Sequence, residues 1–259
     1  MARIERLRVY PVKGIEGVDV QESRIRDGGT LAWDREFALF DDGGKVFNAK
    51  RSDRFHDLST GFDIETGELA IDTGPGEVRR FALESGVDRL RAEEWFSDFF
   101  GAELTLERDG ETGFVDRTEM GPSVVSTATL STVAGWFDDV TTDGARRRIR
   151  ANVEVAGVPA FWEDRFLGDD APAFEAGGVR FEGVTPCGRC VVPERDPDTG
   201  EPLAGFRERF VEKRRETFPE WADPDAFDRF YSLMLIATIP ERDRGETVRV
   251  GDPVEVVED

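Results

Sequence analysis

The chain has 259 residues, enough for one large domain or two medium ones, and we expect two. Its 55 acidic residues outnumber 34 basic ones and give a formal charge of -21, which argues against nucleic acid as a partner. Apolar residues recur along the whole chain at helical or strand spacing, which excludes an acidic disordered protein.

The N-terminus carries Arg3, Glu5 and Arg6 where a signal peptide would have its apolar stretch. No window of about 18 apolar residues follows anywhere in the sequence. We therefore expect a cytoplasmic protein that does not enter a membrane. Lysine is rare and arginine preferred, so the acidic composition is similar to that of proteins from salt-loaded, halophilic cytoplasm.

The first part of the chain predicts antiparallel β structure. Strands are expected over residues 4–12, 37–40 and 45–48, with the glycine-containing turn at 41–44 joining the last two as a hairpin. Apolar residues spaced three to four apart predict a helix over 88–100, which Gly101 ends. A turn-rich stretch then places a domain boundary near residue 120.

The second part predicts further strands with peripheral helices. A short helix is expected over 129–137 and a longer amphipathic one over 203–218, with Phe206 and Phe210 on one face. Strands are expected over 149–155, 179–183 and 247–257. The fold class is therefore a β-rich α+β protein.

Two cysteines, Cys187 and Cys190, have a C-x-x-C spacing that several kinds of site share. A closed zinc site needs four ligands, and the chain has only one histidine, far upstream. A redox pair of the thioredoxin type needs a following helix, which Pro193 and Pro197 oppose. Two small side chains at a loop end are the remaining interpretation, and the spacing alone does not select among the three.

A basic cluster at residues 146–150 reverses the sign of this acidic sequence locally. If 149–155 is a strand, alternation sends Arg148, Arg150 and Asn152 to one face. Such a face can simply be solvated. It also suits an anionic ligand, because guanidinium groups bind phosphate in bidentate fashion and an asparagine amide can pair with the edge of a heterocycle.

Five ordered segments resemble the motifs of the MOSC family, named for the C-terminal domain of molybdenum cofactor sulfurases. They are YPVK at 10–13, DREF at 34–37, RIRAN at 148–152, CGRC at 187–190 with DPDTG at 196–200, and VGDPV at 250–254. The resemblance covers essentially the whole chain. It implies an N-terminal β-barrel-like domain over 1–120 and a MOSC β-barrel domain with peripheral helices over 121–259.

The resemblance also implies a bound molybdenum cofactor, whose molybdopterin carries a phosphate and a pterin. The Cys190 thiolate would be the metal ligand and the catalytic residue, with Arg189 beside it favouring the deprotonated form. The remaining implied cofactor-binding residues are Lys13, Arg35, Ser126, Thr127, Arg148, Arg150 and Asn152. As an alternative, Ser126 or Thr127 caps the helix that follows.

Among family members, the chain is most similar to two-domain reductases of N-hydroxylated compounds. This implies a small N-hydroxylated substrate. Because the chain has only two cysteines and an iron–sulfur cluster needs about four, it also implies a separate electron-donor protein. One departure is Val158-Pro159, where mitochondrial members carry Cys-Asp. Two alternatives remain: a sulfur-carrier or cofactor-delivery protein that uses Cys190, and a non-catalytic interaction module.

Overall fold

The computed structural model describes residues 1–74, 78–116 and 120–257. Its first half is mainly strands, with one helix near the end. The elements are β1 Arg3–Val9, β2 Val18–Val20, β3 Glu22–Arg24, β4 Phe37–Asp41, β5 Val46–Phe47, β6 Ser59–Asp63, β7 Glu68–Asp72, β8 Arg79–Ala82, α1 Gly86–Phe100 and β9 Leu104–Arg108.

The second half alternates strands with short helices. Its elements are β10 Ser123–Ser126, α2 Thr127–Ala134, α3 Thr142–Ile149, β11 Val153–Ala156, β12 Ala173–Ala176, β13 Val179–Gly188, α4 Phe206–Glu216, β14 Ser232–Thr238, β15 Thr247–Arg249 and β16 Val254–Val257. The predicted β-rich α+β class is confirmed. Within the described residues, no helix combines the length and apolar character needed to cross a bilayer.

An eight-stranded sheet organises the molecule, in the order β16-β12-β13-β14-β10-β11-β1-β2. Although β1 and β2 come from the start of the chain, β1 pairs antiparallel with β11, with Leu7 opposite Val153. The N-terminal segment that follows β1 is thereby held against the second half of the chain. Two smaller sheets, β5-β4-β9 and β6-β7-β8, lie in the N-terminal half, and β3 pairs antiparallel with β15 from the end of the chain.

Helix α1 has the ends that its sequence predicts. The Ser85 side chain accepts a hydrogen bond from the Asp88 backbone N–H, and Gly101 ends the helix with φ of 65°. The chain buries Phe96 and Ala92 from this helix against the N-terminal core. The expected hairpin is also present, because β4 and β5 pair antiparallel across the turn at 41–44.

The expected strand over 149–155 is wrong in its first half, because residues 142–149 form helix α3. Thr141 caps this helix by accepting a hydrogen bond from the Gly144 N–H at 3.0 Å. Arginines at its C-terminal end suit the helix dipole. Arg150 then takes a left-handed conformation, φ 59° and ψ 45°, which ends the helix and turns the chain into β11.

Two other strand predictions need correction. The expected strand over 247–257 is two strands, β15 and β16, separated by a turn in which Gly251 has φ of 94°. The expected strand over 179–183 continues to Gly188, because β13 pairs with β14 as far as Gly188 opposite Ser232. Cys187 therefore lies within a strand.

A buried ion pair lies beneath helix α4. Arg214 is fully buried and pairs with Asp164, whose side chain is 4% exposed. Its guanidinium also lies against the rings of Phe161 and Phe218, with 4.5 Å and 5.1 Å to the centroids. The aromatic faces surround a charge that water cannot reach.

Replacing Arg214 with alanine should lower the free energy of unfolding by about 3–5 kcal/mol, because Asp164 is left buried without its partner. The adjacent Lys213 makes only an exposed ion pair with Glu216, so Lys213→Ala should cost no more than about 0.5 kcal/mol. Urea unfolding of the two variants measures both values. Equal effects would show that the buried pair does not stabilise the fold.

Candidate functional site

Two arginines distant in sequence meet on the ring of Tyr10, directly after β1. The Arg150 guanidinium lies 4.1 Å from the ring centroid and that of Arg35 lies 5.3 Å from it. Both arginines have positive φ, 59° and 52°, a conformation uncommon outside glycine. The structure thus brings together two of the expected cofactor-binding residues, one from each half of the chain.

Burial sets the protonation of this group. Desolvation lowers the pKa of Arg150 and raises that of Tyr10, whose ring is 2% exposed. Desolvation also acts to lower the pKa of Arg35, but the charge and hydrogen bond of Asp34, together with the charges of Tyr10 and Asp116, raise it, and the net shift is upward. Arginine ordinarily titrates far above neutral pH and tyrosine well above it, so the group consists of two cations beside a neutral phenol.

Asn152 is 2% exposed, and hydrogen bonds hold its side chain at both the oxygen and the nitrogen of the amide. Its Oδ1 accepts hydrogen bonds from the Ser123 backbone N–H and from Ser123 Oγ, at 3.1 Å and 2.9 Å. Its Nδ2 donates to the Arg8 carbonyl at 3.1 Å. The side chain thereby connects β1 with the start of β10.

Lys13 lies close to Arg35 in the fold but has its own partners. Its Nζ donates to the Phe114 carbonyl and to Asp116, both at 2.7 Å. The Lys13 side chain is 16% exposed and that of Asp116 is 76% exposed. Lys13 is therefore partly buried, and the acid with which it pairs is exposed to solvent.

A cavity of about 320 Å³ lies beside these groups, and we call it the cysteine cavity. Arg35, Asn152 and Cys187 line it, together with residues that the sequence did not single out. The other lining residues include Asp116, Met120, Ser123, Gly188, Asp228, Arg229 and Met234.

The two cysteines occupy different positions relative to this cavity. Cys187 lines it, and Nη1 of Arg189 lies 3.2 Å from Cys187 Sγ. Nη2 of Arg189 donates to the Ile149 carbonyl at 3.1 Å. Cys190 is half-buried and is not among the lining residues; its carbonyl accepts a hydrogen bond from the Tyr231 hydroxyl. The assignment of Cys190 as metal ligand stays a prediction.

A larger cavity of about 740 Å³, the arginine cleft, is lined by Arg147, Arg148 and Arg150 with Glu16 and Asp198. Arg147 pairs with Glu16 at 3.0 Å and with Asp198 at 2.7 Å. Arg148 donates to the Pro193 carbonyl at 3.1 Å and pairs with Asp196 at 3.3 Å. The arginine cluster is thus largely compensated by acids and carbonyls of the protein itself.

The helical geometry also divides the set of expected cofactor-binding residues. Arg148 and Arg150 line the arginine cleft, whereas Arg35 and Asn152 line the cysteine cavity. The alternation proposed for a strand would have placed Arg148 and Asn152 on one face. That common face does not exist, because Arg148 belongs to α3, whereas Asn152 follows the left-handed Arg150 at which the helix ends.

Ser126 and Thr127 line neither cavity. Ser126 is fully buried, caps α2 by accepting from the Thr129 N–H at 3.0 Å, and donates to the Pro159 carbonyl. Its own backbone N–H donates to Glu163 at 3.2 Å. The capping interpretation describes Ser126 in this structure.

Glu163 is a buried acid that the sequence did not single out. Its side chain is inaccessible to solvent, and burial, helped by the neighbouring Asp164 carboxylate, raises the pKa of Glu163 to about 8. The sequence signal is weak, because a glutamate is ordinarily a surface residue. Glu163 supports the start of α2 through the Ser126 N–H.

The titration of Glu163 should make stability depend on pH. Between the ordinary pKa of 4.5 and about 8, the folded protein retains a proton that the unfolded chain releases, so the free energy of unfolding falls as pH rises. Glu163→Gln removes this decline. The free energy of unfolding of Glu163→Gln, relative to that of wild type, should therefore be higher at pH 8 than at pH 5. Urea unfolding at constant ionic strength measures the difference.

The exposed Glu103 provides the control, because Glu103→Gln should leave the pH dependence of wild type unchanged. Parallel pH profiles for wild type and Glu163→Gln would contradict the assignment of a raised pKa to Glu163.

Comparison with known proteins adds to this geometry. Residues 1–103 match the family model of the MOSC N-terminal beta barrel domain, and residues 122–255 match that of the MOSC domain. Over 292 residues the chain is 23% identical to mitochondrial amidoxime reducing component 2 of Macaca fascicularis, covering 97% of this chain and 82% of that protein.

A second relative is a molybdenum cofactor sulfurase of Oryza sativa subsp. japonica, 24% identical over 240 residues. The match covers 75% of this chain but only 28% of the sulfurase, so the chain corresponds to a minor part of that protein. The crystal structure of the YUAD protein from Bacillus subtilis aligns with 100% of this chain and 96% of its own, at 12% identity and a TM-score of 0.38.

Proposed function

The chain belongs to the MOSC family, and from this premise we propose that it binds the molybdenum cofactor in the cysteine cavity and reduces N-hydroxylated compounds. The observation that carries the proposal is the convergence of Arg35, Asn152 and Cys187 on one cavity. These residues come from three separate motifs, and no local pattern in the sequence requires them to meet.

The chemistry of the cavity fits the cofactor. A volume of about 320 Å³ lies within the range of small-molecule sites. Arg35 supplies a guanidinium for a phosphate, the second Nδ2–H of Asn152 supplies a hydrogen bond for a heterocycle, and the cysteine segment supplies a soft sulfur ligand. A cavity with these donors at neutral pH favours an anionic ligand that carries a polar ring.

We assign roles to the chain's own residues accordingly. Lys13 and Arg35 would hold the phosphate, and Asn152 would orient the pterin. Arg150 would contribute through the ring of Tyr10, on which its guanidinium rests. When bound, the cofactor supplies the two-electron chemistry that removes the hydroxyl oxygen of an N-hydroxylated substrate as water. The two electrons come from a separate donor protein and the two protons from solvent.

Cys190 remains the proposed metal ligand, and the contacts of the two sulfurs supply a physical reason. The Cys187 sulfur already contacts the Arg189 guanidinium at 3.2 Å. Among the described residues, the Cys190 sulfur makes no hydrogen bond, so it is free to bind a soft metal once its thiol is deprotonated. A ligand at this position lies next to the segment that lines the cavity.

Molybdenum content tests this assignment. Wild type, purified in high salt from a host that makes the cofactor, should carry about one molybdenum atom per chain, and Cys190→Ser should retain less than about a tenth of it. Cys187→Ser is the matched control and should retain most of the metal. The reverse order would transfer the ligand role to Cys187, and no metal in wild type would contradict the proposal.

Catalysis is tested separately with benzamidoxime and a reduced dye as electron source. Wild type should form benzamidine, and Cys190→Ser should lose at least about 99% of the rate, because a ligand to the reacting metal acts in every turnover. The match to the rice sulfurase raises a second candidate, sulfur or cofactor delivery through Cys190. Transferable sulfane sulfur on Cys190 without benzamidine formation would establish that candidate instead.

A further inference from the structure

One exposed cation, Arg229, lies directly beside the cysteine segment and lines the cysteine cavity. It belongs to the loop that precedes β14. The Ser232 hydroxyl donates a hydrogen bond to the Arg229 carbonyl at 2.8 Å, and Ser232 in turn pairs with Gly188 in the β13–β14 ladder. The backbone of Arg229 is therefore fixed relative to the strand that carries Cys187.

The guanidinium of Arg229 occupies the space that a side chain at position 188 would take. A Cβ on Gly188 would lie 2.2 Å from Arg229 Nη2 and 2.9 Å from Cζ. Gly188 is not among the glycines with positive φ, so its backbone does not itself require glycine. The glycine thus permits a planar cation to lie against the strand at the edge of the cavity.

Arg229 also differs from the other cations of the site in its partners. Arg35 pairs with Asp34, and Lys13 pairs with Asp116. Over residues 1–74, 78–116 and 120–257, the Arg229 guanidinium makes no hydrogen bond or ion pair with another residue. The neighbouring Asp228 lines the same cavity and is exposed, but it does not pair with Arg229.

We propose that Arg229 binds an anionic group, a carboxylate or a phosphate, on the substrate that enters the cysteine cavity. Guanidinium groups favour such oxyanions because two N–H donors match two oxygens. The inference rests on the proposed function in treating this cavity as the reaction site. It narrows the substrates to N-hydroxylated compounds that carry a negative charge near the N–O group.

Exposure favours the substrate over the cofactor as the ligand of Arg229. The cations proposed for the cofactor phosphate are covered, with side chains 16% exposed for Lys13 and 22% for Arg35. Arg229 is exposed and remains accessible to a molecule arriving from solvent. The chain has a charge of -21, which repels anions from its surface. An unpaired cation at the cavity therefore has a larger effect on whether an anion binds there.

The methionines provide a direct readout of binding. Of the three in the chain, Met120 and Met234 line the cysteine cavity, whereas Met1 lies at the exposed terminus. With ¹³C-methyl methionine in the cofactor-loaded protein, benzoate, phenyl phosphate and neutral benzamide can be titrated at constant ionic strength. None of these probes has an N–O bond, so binding is observed without turnover.

Benzoate or phenyl phosphate should shift the Met120 and Met234 signals in a saturable way and leave Met1 unchanged. Arg229→Gln should raise the Kd of the anion at least about fivefold relative to benzamide, the loss expected for one charge-assisted contact near solvent. Gly188→Ala should weaken anion binding in the same direction by displacing the guanidinium. The tighter of the two anions identifies carboxylate or phosphate as the preferred group.

Arg242→Gln removes another exposed arginine that lies outside the cavity, and it should leave the anion Kd at the wild-type value. Asp228→Asn removes the carboxylate adjacent to Arg229 in sequence and should strengthen anion binding or leave it unchanged. An unaltered anion Kd in Arg229→Gln, or no saturable shift in wild type, would overturn the proposal. Because binding is read without turnover, the result is separable from a failure to reduce benzamidoxime.

Discussion

The site depends on one buried side chain, Asn152, and on the contacts that it satisfies. Its amide accepts two hydrogen bonds from Ser123 and donates one to the Arg8 carbonyl, so it joins β1 to β10 where β11 begins. A buried amide with unsatisfied atoms would cost on the order of 1–3 kcal/mol for each lost partner. The register of these three strands is therefore fixed next to the cavity.

Tyr10 directly follows β1, so the fixed register also fixes its position. Its ring contacts one arginine from each half of the chain. Arg35 and Arg150, whose guanidinium groups lie on this ring, both have a left-handed backbone conformation. That conformation costs free energy, which the surrounding fold must offset. The result is a concentration of positive charge inside a strongly acidic protein. An anionic cofactor is the ligand that such an arrangement favours.

The sequence predicted the class of fold well because its strongest signals are local. Helix α1 shows its apolar period, and Gly101 marks its end. The arginine run at 146–150 was misassigned because apolar residues at 145, 149, 151 and 153 satisfy an alternating pattern as well as a helical one over so short a window. Thr141 as helix cap was the signal that could have decided the question.

Features that depend on distant residues could not be read from the sequence. The pairing of Arg147 with Glu16 joins residues 131 positions apart. It neutralises one cation of the basic cluster at 146–150, which the sequence indicated as suited to an anionic ligand. Likewise, Cys187 reaches the cavity because β13 extends along β14 with two irregularities in its register. Three of the motif segments contribute lining residues to the cysteine cavity, and strand pairing determines which of their side chains line it.

The proposed function requires that a thiolate of this chain binds molybdenum beside the cysteine cavity. X-ray absorption at the molybdenum edge of the purified protein tests it most directly, because sulfur and oxygen neighbours differ in their distance from the metal. For Cys190→Ser reconstituted with cofactor, we expect about one sulfur neighbour fewer than in wild type. An unchanged sulfur count in Cys190→Ser would contradict the account.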